Sequence, residues 1–511
     1  TMCYRFHDML LGNLIELAGA EASVILLSDH GFRSDHLRRS EIPMDAAGPA
    51  AEHREYGILV AAGPGIRQGG RLTGASLLDV TPTVLTLLGL PVGRDMDGRV
   101  LTELFQGFPD VQQIDSWDSL CTARAGLPGT AGDQPPCTTQ SQLDSPPHAA
   151  GVLQQLIDLG YVDAGIQVSD PPADLARHEL EFNCGLSLVG GHRFREAAEQ
   201  FQRLWLLRPA DVRLPIRLAH CLQHLDQLDE MRRVIDHLEE FWGRIEQEAT
   251  RRIVEMAEYA KQRQESGAGL PEDAAAVLNS AWLTGSEAKI ASRLMRGHRV
   301  NRSTLQDLRA NLAMAEGRNE ESLQYLQEVQ PNDVGKRIRH LLQQAWVMLQ
   351  QSRLPEAMAA CEECLELDAD SRAALVMAGR VCLKLRKPDR ALSNIESAIQ
   401  RLYEQPEAHL LRAIALARLK RGDDAIAAAK VASSQAPLDP RPLKLISSIY
   451  AKRADYSLAG HYQHLCQSLE QQIAATAVQP LQIVLPEVDG AAIEEQLKSD
   501  RFGQRFDAVT L

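Results

Sequence analysis

The stretch Gly379-Arg380-Val381-Cys382-Leu383-Lys384-Leu385-Arg386-Lys387-Pro388-Asp389-Arg390-Ala391 decides how most of the chain is read. It places one small residue, Gly379, twelve positions before another, Ala391. The same pair recurs at a spacing of 34, as Ala345 with Ala357, Ala413 with Ala425 and Ser447 with Ala459. An earlier set keeps the frame: Gly185 with Ala197, Phe201 and Pro209, then Ala219 with Met231 and Ile235 one period later. Ala310, Ser322 and Leu326 follow it one residue out of step. A fixed period of this length means stacked supersecondary units, each of which buries its apolar face only against its neighbours.

This set resembles the tetratricopeptide repeat, whose helix pairs need small residues where the two helices cross closely. About seven repeats are expected, over 178–211, 212–245, 303–337, 338–371, 372–405, 406–439 and 440–473. Between 246 and 302 the period fails, and Ile253, Met256 and Ala257 suggest helices of irregular length. The resemblance implies an all-α superhelix over 173–473 with a concave surface that takes a peptide or a partner protein. Arg372, Arg380, Arg386, Lys387 and Arg390 are candidates to meet an acidic peptide, although surface solvation explains them as well. Cys361-Glu362-Glu363-Cys364 has the spacing of a redox or zinc pair. It falls at two inner helix positions where neighbouring repeats use Ile395 with Ala398 and Ala429 with Ala432, so packing explains it better. In the tail, 474–511, Pro480-Leu481-Gln482-Ile483-Val484-Leu485-Pro486 reads as extended, followed by an amphipathic segment around Ile493 and Leu497.

Residues 1–107 follow another plan. An amphipathic helix carrying Leu10, Leu11, Leu14, Ile15 and Leu17 opens the chain with no lead-in, as in a fragment of a longer protein. Ser23-Val24-Ile25-Leu26-Leu27-Ser28 and Tyr56-Gly57-Ile58-Leu59-Val60-Ala61-Ala62 are apolar runs of the kind buried in a parallel sheet. The first ends in Asp29-His30-Gly31-Phe32 and the second in Gly63-Pro64-Gly65, which lacks the spacing of a phosphate-cradling loop. Asp79 is placed to cap a helix through Pro82, Val84, Leu85, Leu87 and Leu88, ended by Gly89 and Pro91. The fold class is thus α/β in this part, followed by an all-α repeat stack. Residues 108–146, with Pro135-Pro136 and Pro146-Pro147, read as a linker, and 147–172 as a connecting helix.

Asp29-His30-Gly31 at the C-terminal end of a strand lies where ligands gather in open α/β sheets, and a carboxylate next to an imidazole offers O and N ligands to a Zn²⁺-like ion. Alone, a capped turn with a solvated His competes well with that reading. Downstream stand Glu52-His53-Arg54-Glu55-Tyr56-Gly57, then Gly74-Ala75-Ser76-Leu77-Leu78-Asp79-Val80-Thr81-Pro82-Thr83, then Gly93-Arg94-Asp95-Met96-Asp97-Gly98. In this order they resemble the C-terminal half of the alkaline phosphatase superfamily, nearest its type I phosphodiesterase/nucleotide pyrophosphatase branch. The resemblance covers residues 1–107. It assigns Asp29 and His30 to one metal ion and His53 to a second, Zn²⁺ first and Mn²⁺ second, in a metal-dependent hydrolase of phosphate esters. Ser76, Asp79 and Pro82 read as structural, and Asp95, Asp97 and Gly98 as a turn.

The family's Thr or Ser nucleophile and its remaining ligands precede the motif at Ser28 and are expected upstream of Thr1, so this chain alone reads as inactive. His7 and Asp8 lie on a helix, and Asp35-His36 reads as loop. Two alternatives stand beside the hydrolase: a non-enzymatic repeat scaffold carrying a relic phosphatase half, and a sulfatase-like hydrolase. A net charge of -14 and 5% aromatic residues offer no basic, base-stacking surface for nucleic acid. No apolar run spans a bilayer, and nine scattered cysteines suit a reducing, cytoplasmic setting.

Overall fold

The computed structural model describes residues 2–38, 53–118, 172–264, 291, 302, 304–328, 334–475, 480–487 and 489–498. The linker expected at 108–146 lies outside them from 119 onward, as do the connecting helix of 147–171 and the tail beyond 498. Packing divides the chain into two units. One comprises Thr1–Ser40, Glu52–Cys137 and Asp333–Ala477, and the other Glu41–Ala51, Thr138–Asn332 and Val478–Leu511. The repeats are therefore shared between the units, with the division at Asn332 and Asp333, near the end of the repeat expected over 303–337.

In the first unit four repeats are built from the pairs Val334–Gln350 with Leu354–Leu367, Arg372–Lys384 with Pro388–Arg401, Pro406–Arg418 with Gly422–Gln435, and Arg441–Lys452 with Tyr456–Ala475. The small residues meet where the helices of a pair cross: Ala345, Ala357, Ala391, Ala413 and Ala425 are fully buried. At Gly379 a Cβ would lie 2.5 Å from Ile395 Cγ1, so this crossing admits no side chain. Ser447 closes the last pair by donating its hydroxyl to the Ala459 carbonyl at 2.8 Å. The first helices of successive repeats touch one another, so they form the inner wall of the stack.

Each first helix ends in the same way. Ser352, Arg386, Lys420 and Ala454 adopt φ near +60° in this unit, as do His192 and Asp226 in the other, each seven positions after the small residue. The next amide closes a six-residue return, as in Lys387 N–H to the Cys382 carbonyl at 2.9 Å and Arg421 N–H to the Leu416 carbonyl at 3.0 Å. This left-handed stop supplies partners for the last carbonyls of the helix. At the repeat that runs out of step, the same place is held by Gly317.

In the second unit Pro172–Gly190, Phe194–Leu207 and Arg213–His224 are followed by Leu228–Gln264, a helix of 37 residues. The repeat expected to end at 245 thus runs on. Phe241, Trp242, Ile245, Ala249, Ile253, Ala257 and Ala260 continue one buried stripe at helical spacing past that point, and nothing in their pattern breaks the helix. Cys361 and Cys364 are fully buried in the later repeats, in keeping with the packing role expected of them.

The front part departs from expectation. Val24–Leu27 (β1) and Leu59–Ala62 (β4) pair antiparallel, with Val24 opposite Ala62 and Leu27 opposite Leu59. Gly31–Phe32 (β2) pairs with His53–Arg54 (β3), also antiparallel, and Val92–Gly93 (β5) with Gln113–Ile114 (β6) in parallel. The buried parallel sheet is corrected to three separate two-stranded ladders, and an alkaline-phosphatase-like sheet is not seen among the described residues. An apolar run does not encode strand direction, and Leu26, Leu27 and Val60 remain exposed. The fully packed centre is small, comprising Ile66, Leu101 and Leu104. Asp79 organises the turn before the helix Val80–Leu87: buried, it accepts the Ser76 amide on Oδ2 and the Arg99 amide on Oδ1, both at 2.8 Å. Among the described residues no helix is long and apolar enough to cross a membrane.

Gly379→Ala is expected to lose about 1–3 kcal/mol through overpacking against Ile395, whereas Arg386→Gly, which relieves a left-handed backbone, is expected to be neutral or to gain up to about 1 kcal/mol. Urea unfolding checks both.

Candidate functional site

Asp29 and His30 leave β1 through Ser28, whose hydroxyl donates to the His30 carbonyl. His30 Nδ1 lies 3.0 Å from the Gly31 carbonyl, which only accepts, so Nδ1 carries the proton and Nε2 keeps its lone pair in the neutral ring. That Nε2 is 3.6 Å from Asp29 Oδ1. Two ligands about 2.0–2.1 Å from a tetrahedral ion stand roughly 3.3 Å apart, so this pair has the span of one edge of such a site. The pairing of β2 with β3 then brings in His53, whose ring stacks on His30 with centroids 3.6 Å apart and planes 16° from parallel. Burial, and next the neighbouring His30, hold the His53 imidazole below its usual range, with Asp29 opposing.

The three residues singled out from sequence are therefore brought together. They do not make a two-ion centre by themselves. Imidazole lone pairs lie in the ring plane, so two stacked rings cannot both aim at one ion. Among the described residues no group of three or more His, Cys, Asp and Glu side chains has the arrangement to hold a metal. No catalytic step follows from this set. His36, from the pair read as loop, instead donates from Nε2 to the Leu367 carbonyl at 2.7 Å.

Next to this cluster is a second construction, which sequence reading missed. Within the first unit the residues after His53 clasp the turns between repeats. Arg54 binds Asp368 at 2.8 Å and Asp370 at 3.1 Å, and Arg372 reaches Glu55 at 3.2 Å. The Tyr56 hydroxyl donates to the Asp370 carbonyl at 3.0 Å, and Arg401 binds Asp370 from the repeat side at 2.6 Å. One turn later Gly74 exchanges two backbone bonds with the end of the helix Pro388–Arg401, its N–H to the Gln400 carbonyl at 2.7 Å and its carbonyl from Tyr403 N–H at 2.9 Å. Gly74 has φ +65°, and a Cβ there would lie 2.5 Å from Tyr403 N. The Arg99 guanidinium covers the Tyr403 ring at 4.5 Å. These partners lie some 300 residues apart in the chain, and no local pattern announces them.

The inner wall of the stack carries a third arrangement. Arg380 lies over the Trp346 ring at 4.8 Å and binds Glu407 at 2.8 Å, and Arg441 binds the other Glu407 oxygen at 2.9 Å. The row crosses four successive repeats. Burial, then the neighbouring Arg441, lower the Arg380 guanidinium's affinity for its proton, with Glu407 opposing, and its Nε is buried without a partner. Of the cations read from sequence as able to meet an acidic peptide, Arg372, Arg380 and Arg390 are engaged within the chain, by Glu55, Glu407 and Glu362. Trp346 and Arg380 each follow the small residue of their repeat, a frame position from which the row was open to discovery in the sequence.

Residues 376–440 match the tetratricopeptide repeat family. No curated protein matches the chain. Similar solved structures include MamA 41-end from Desulfovibrio magneticus RS-1, at 19% identity over 34% of this chain and 96% of that one, with a TM-score of 0.30. A crystal structure of MamA is 17% identical over 32% of this chain and 96% of that one, with a TM-score of 0.29. YrrB, a TPR protein with an unusual peptide-binding site, is 17% identical over 37% of this chain and 96% of that one, with a TM-score of 0.28. The family match places tetratricopeptide repeats within residues 376–440 of the helical part.

Arg401, then Arg54, hold the Asp370 carboxyl below its usual range. A carboxylate whose folded pKa is depressed adds stability above its unfolded value, near pH 4, and that stability is lost as pH falls through the folded value. The clasp is expected to persist from neutral pH down to about 4 and to loosen below, and Asp370→Asn to loosen it at neutral pH. Limited proteolysis at residues 63–74 reads this out.

Proposed function

We propose that the protein is a non-enzymatic scaffold whose later repeats hold an extended peptide of a partner protein along their inner wall. The observation that carries this reading is the row Trp346, Arg380, Glu407 and Arg441, half-buried to exposed side chains aligned across four repeats. Trp and Arg are the side chains that most often dominate binding energy at such surfaces. Peptides selected from a random library on the full chain are expected to bind Trp346→Ala and Arg380→Ala at least about tenfold more weakly, about 1.4 kcal/mol. Unchanged affinity for both variants, with unchanged circular dichroism, would contradict the proposal.

The free, unpaired thiols of Cys221, Cys361 and Cys364 support a reducing and hence cytoplasmic setting.

A second reading keeps the front part as a portion of a metal-dependent phosphoester hydrolase. It is favoured by the joint placement of Asp29, His30 and His53. On this reading Asp29 and His30 hold one Zn²⁺ or Mn²⁺ ion and His53 contributes to a second, the ions serving to stabilise charge on the reacting phosphate oxygens. Calorimetric Zn²⁺ titration is expected to show a binding step that His30→Ala abolishes and His53→Ala weakens. Equal binding by the parent chain and both variants would remove this reading.

A further inference from the structure

Within the second unit the extended piece after the repeats is seated on helices. From Leu481 to Leu485 alternate residues turn inward: Leu481 and Leu485 are part-buried against the core and Ile483 is 5% exposed, while Gln482 and Val484 face solvent; Pro486, which follows, is buried as well. The strap crosses the helix Phe194–Leu207 and reaches Leu228–Gln264, where Glu487 borders a small cavity with Trp205 and His237. Beyond it the helix Gly490–Lys498 is anchored separately, by Ala492, Ile493 and Leu497 in the core and by Arg252 on Glu494.

Three features mark the seat of this strap as a binding site. Hydrogen bonding to it is sparse: among the described residues Gln202 Nε2 donates to the Val484 carbonyl at 2.7 Å. The Gln202 Oε1 beside it is buried with no partner, an acceptor left for one more amide N–H. An open cleft of about 470 Å³ runs alongside, between Leu206 and Leu207 on the helix and Leu481 on the strap.

We infer that this face is a docking groove for an extended apolar peptide of another polypeptide, with branched residues at alternate positions before a proline, and that residues 480–487 fill it in the resting chain. The groove reads side chains of one parity, as a strand surface does, and Gln202 aligns the backbone. The strap's tether gives it an effective concentration on the order of millimolar, so an incoming peptide competes against it. The helix Gly490–Lys498 keeps its own contacts while the strap is displaced. This groove and the inner wall of the later repeats lie in different units, and either proposal stands if the other fails.

The test is fluorescence anisotropy with a labelled synthetic peptide of residues 480–487 and full-length protein. A full-length chain with Ile483→Asp, its strap expelled, is expected to bind the peptide at least about tenfold more tightly than the wild-type chain. A control peptide bearing Ile483→Asp is expected to bind neither. Should Ile483→Asp fail to fold, Leu481→Ala/Leu485→Ala empties the groove without burying a charge, and adding Gln202→Ala is then expected to weaken the peptide. Equal binding by the wild-type and strap-weakened chains, or no binding to a folded strap-weakened chain, would overturn the proposal.

Discussion

The close crossing of two helices at a pair of small side chains is the constraint on which the rest of the repeat architecture depends. At Gly379 the partner helix comes so near that a methyl group would lie 2.5 Å from Ile395. Once both helices are fixed at that distance, the first must stop seven residues later in a left-handed turn, and the second must present its apolar stripe to the next repeat. Packing density comparable to a molecular crystal leaves little freedom at such a point, so the same solution is repeated at every period.

That constraint also explains what was legible in the sequence. Small residues are scarce enough at a fixed spacing to be noticed, and the four later repeats follow from Ala345, Gly379, Ala413 and Ser447 alone. The turn that ends each first helix was not legible, because Ser352, Arg386, Lys420 and Ala454 share a backbone conformation and no side-chain chemistry. The continuation of Leu228–Gln264 past the expected end of its repeat was half visible in Ile253, Met256 and Ala257, read as helical but not as the same helix.

The front part shows the converse. Asp29, His30 and His53 were identified from local motifs, and β2 and β3 bring their side chains together. Strand direction was misread, since apolar runs such as Val24–Leu27 look alike in parallel and antiparallel ladders. The clasp of Arg54 on Asp368 and Asp370 joins positions more than 300 residues apart, and a single sequence holds no trace of such a pairing. With a packed centre of Ile66, Leu101 and Leu104, the segment has too little apolar core to stand by its own burial, and the contacts to the repeat turns supply what it lacks.

The front segment and the later repeats of the first unit therefore form one cooperative body. Native-state hydrogen exchange on the full chain measures this most directly. Amides of β4 and of the helix Val80–Leu87 are expected to open with the same free energy as those of Arg372–Lys384 and Pro388–Arg401. Exchange of β4 and Val80–Leu87 at the rate of unstructured chain, while the repeat helices stay protected, would contradict it.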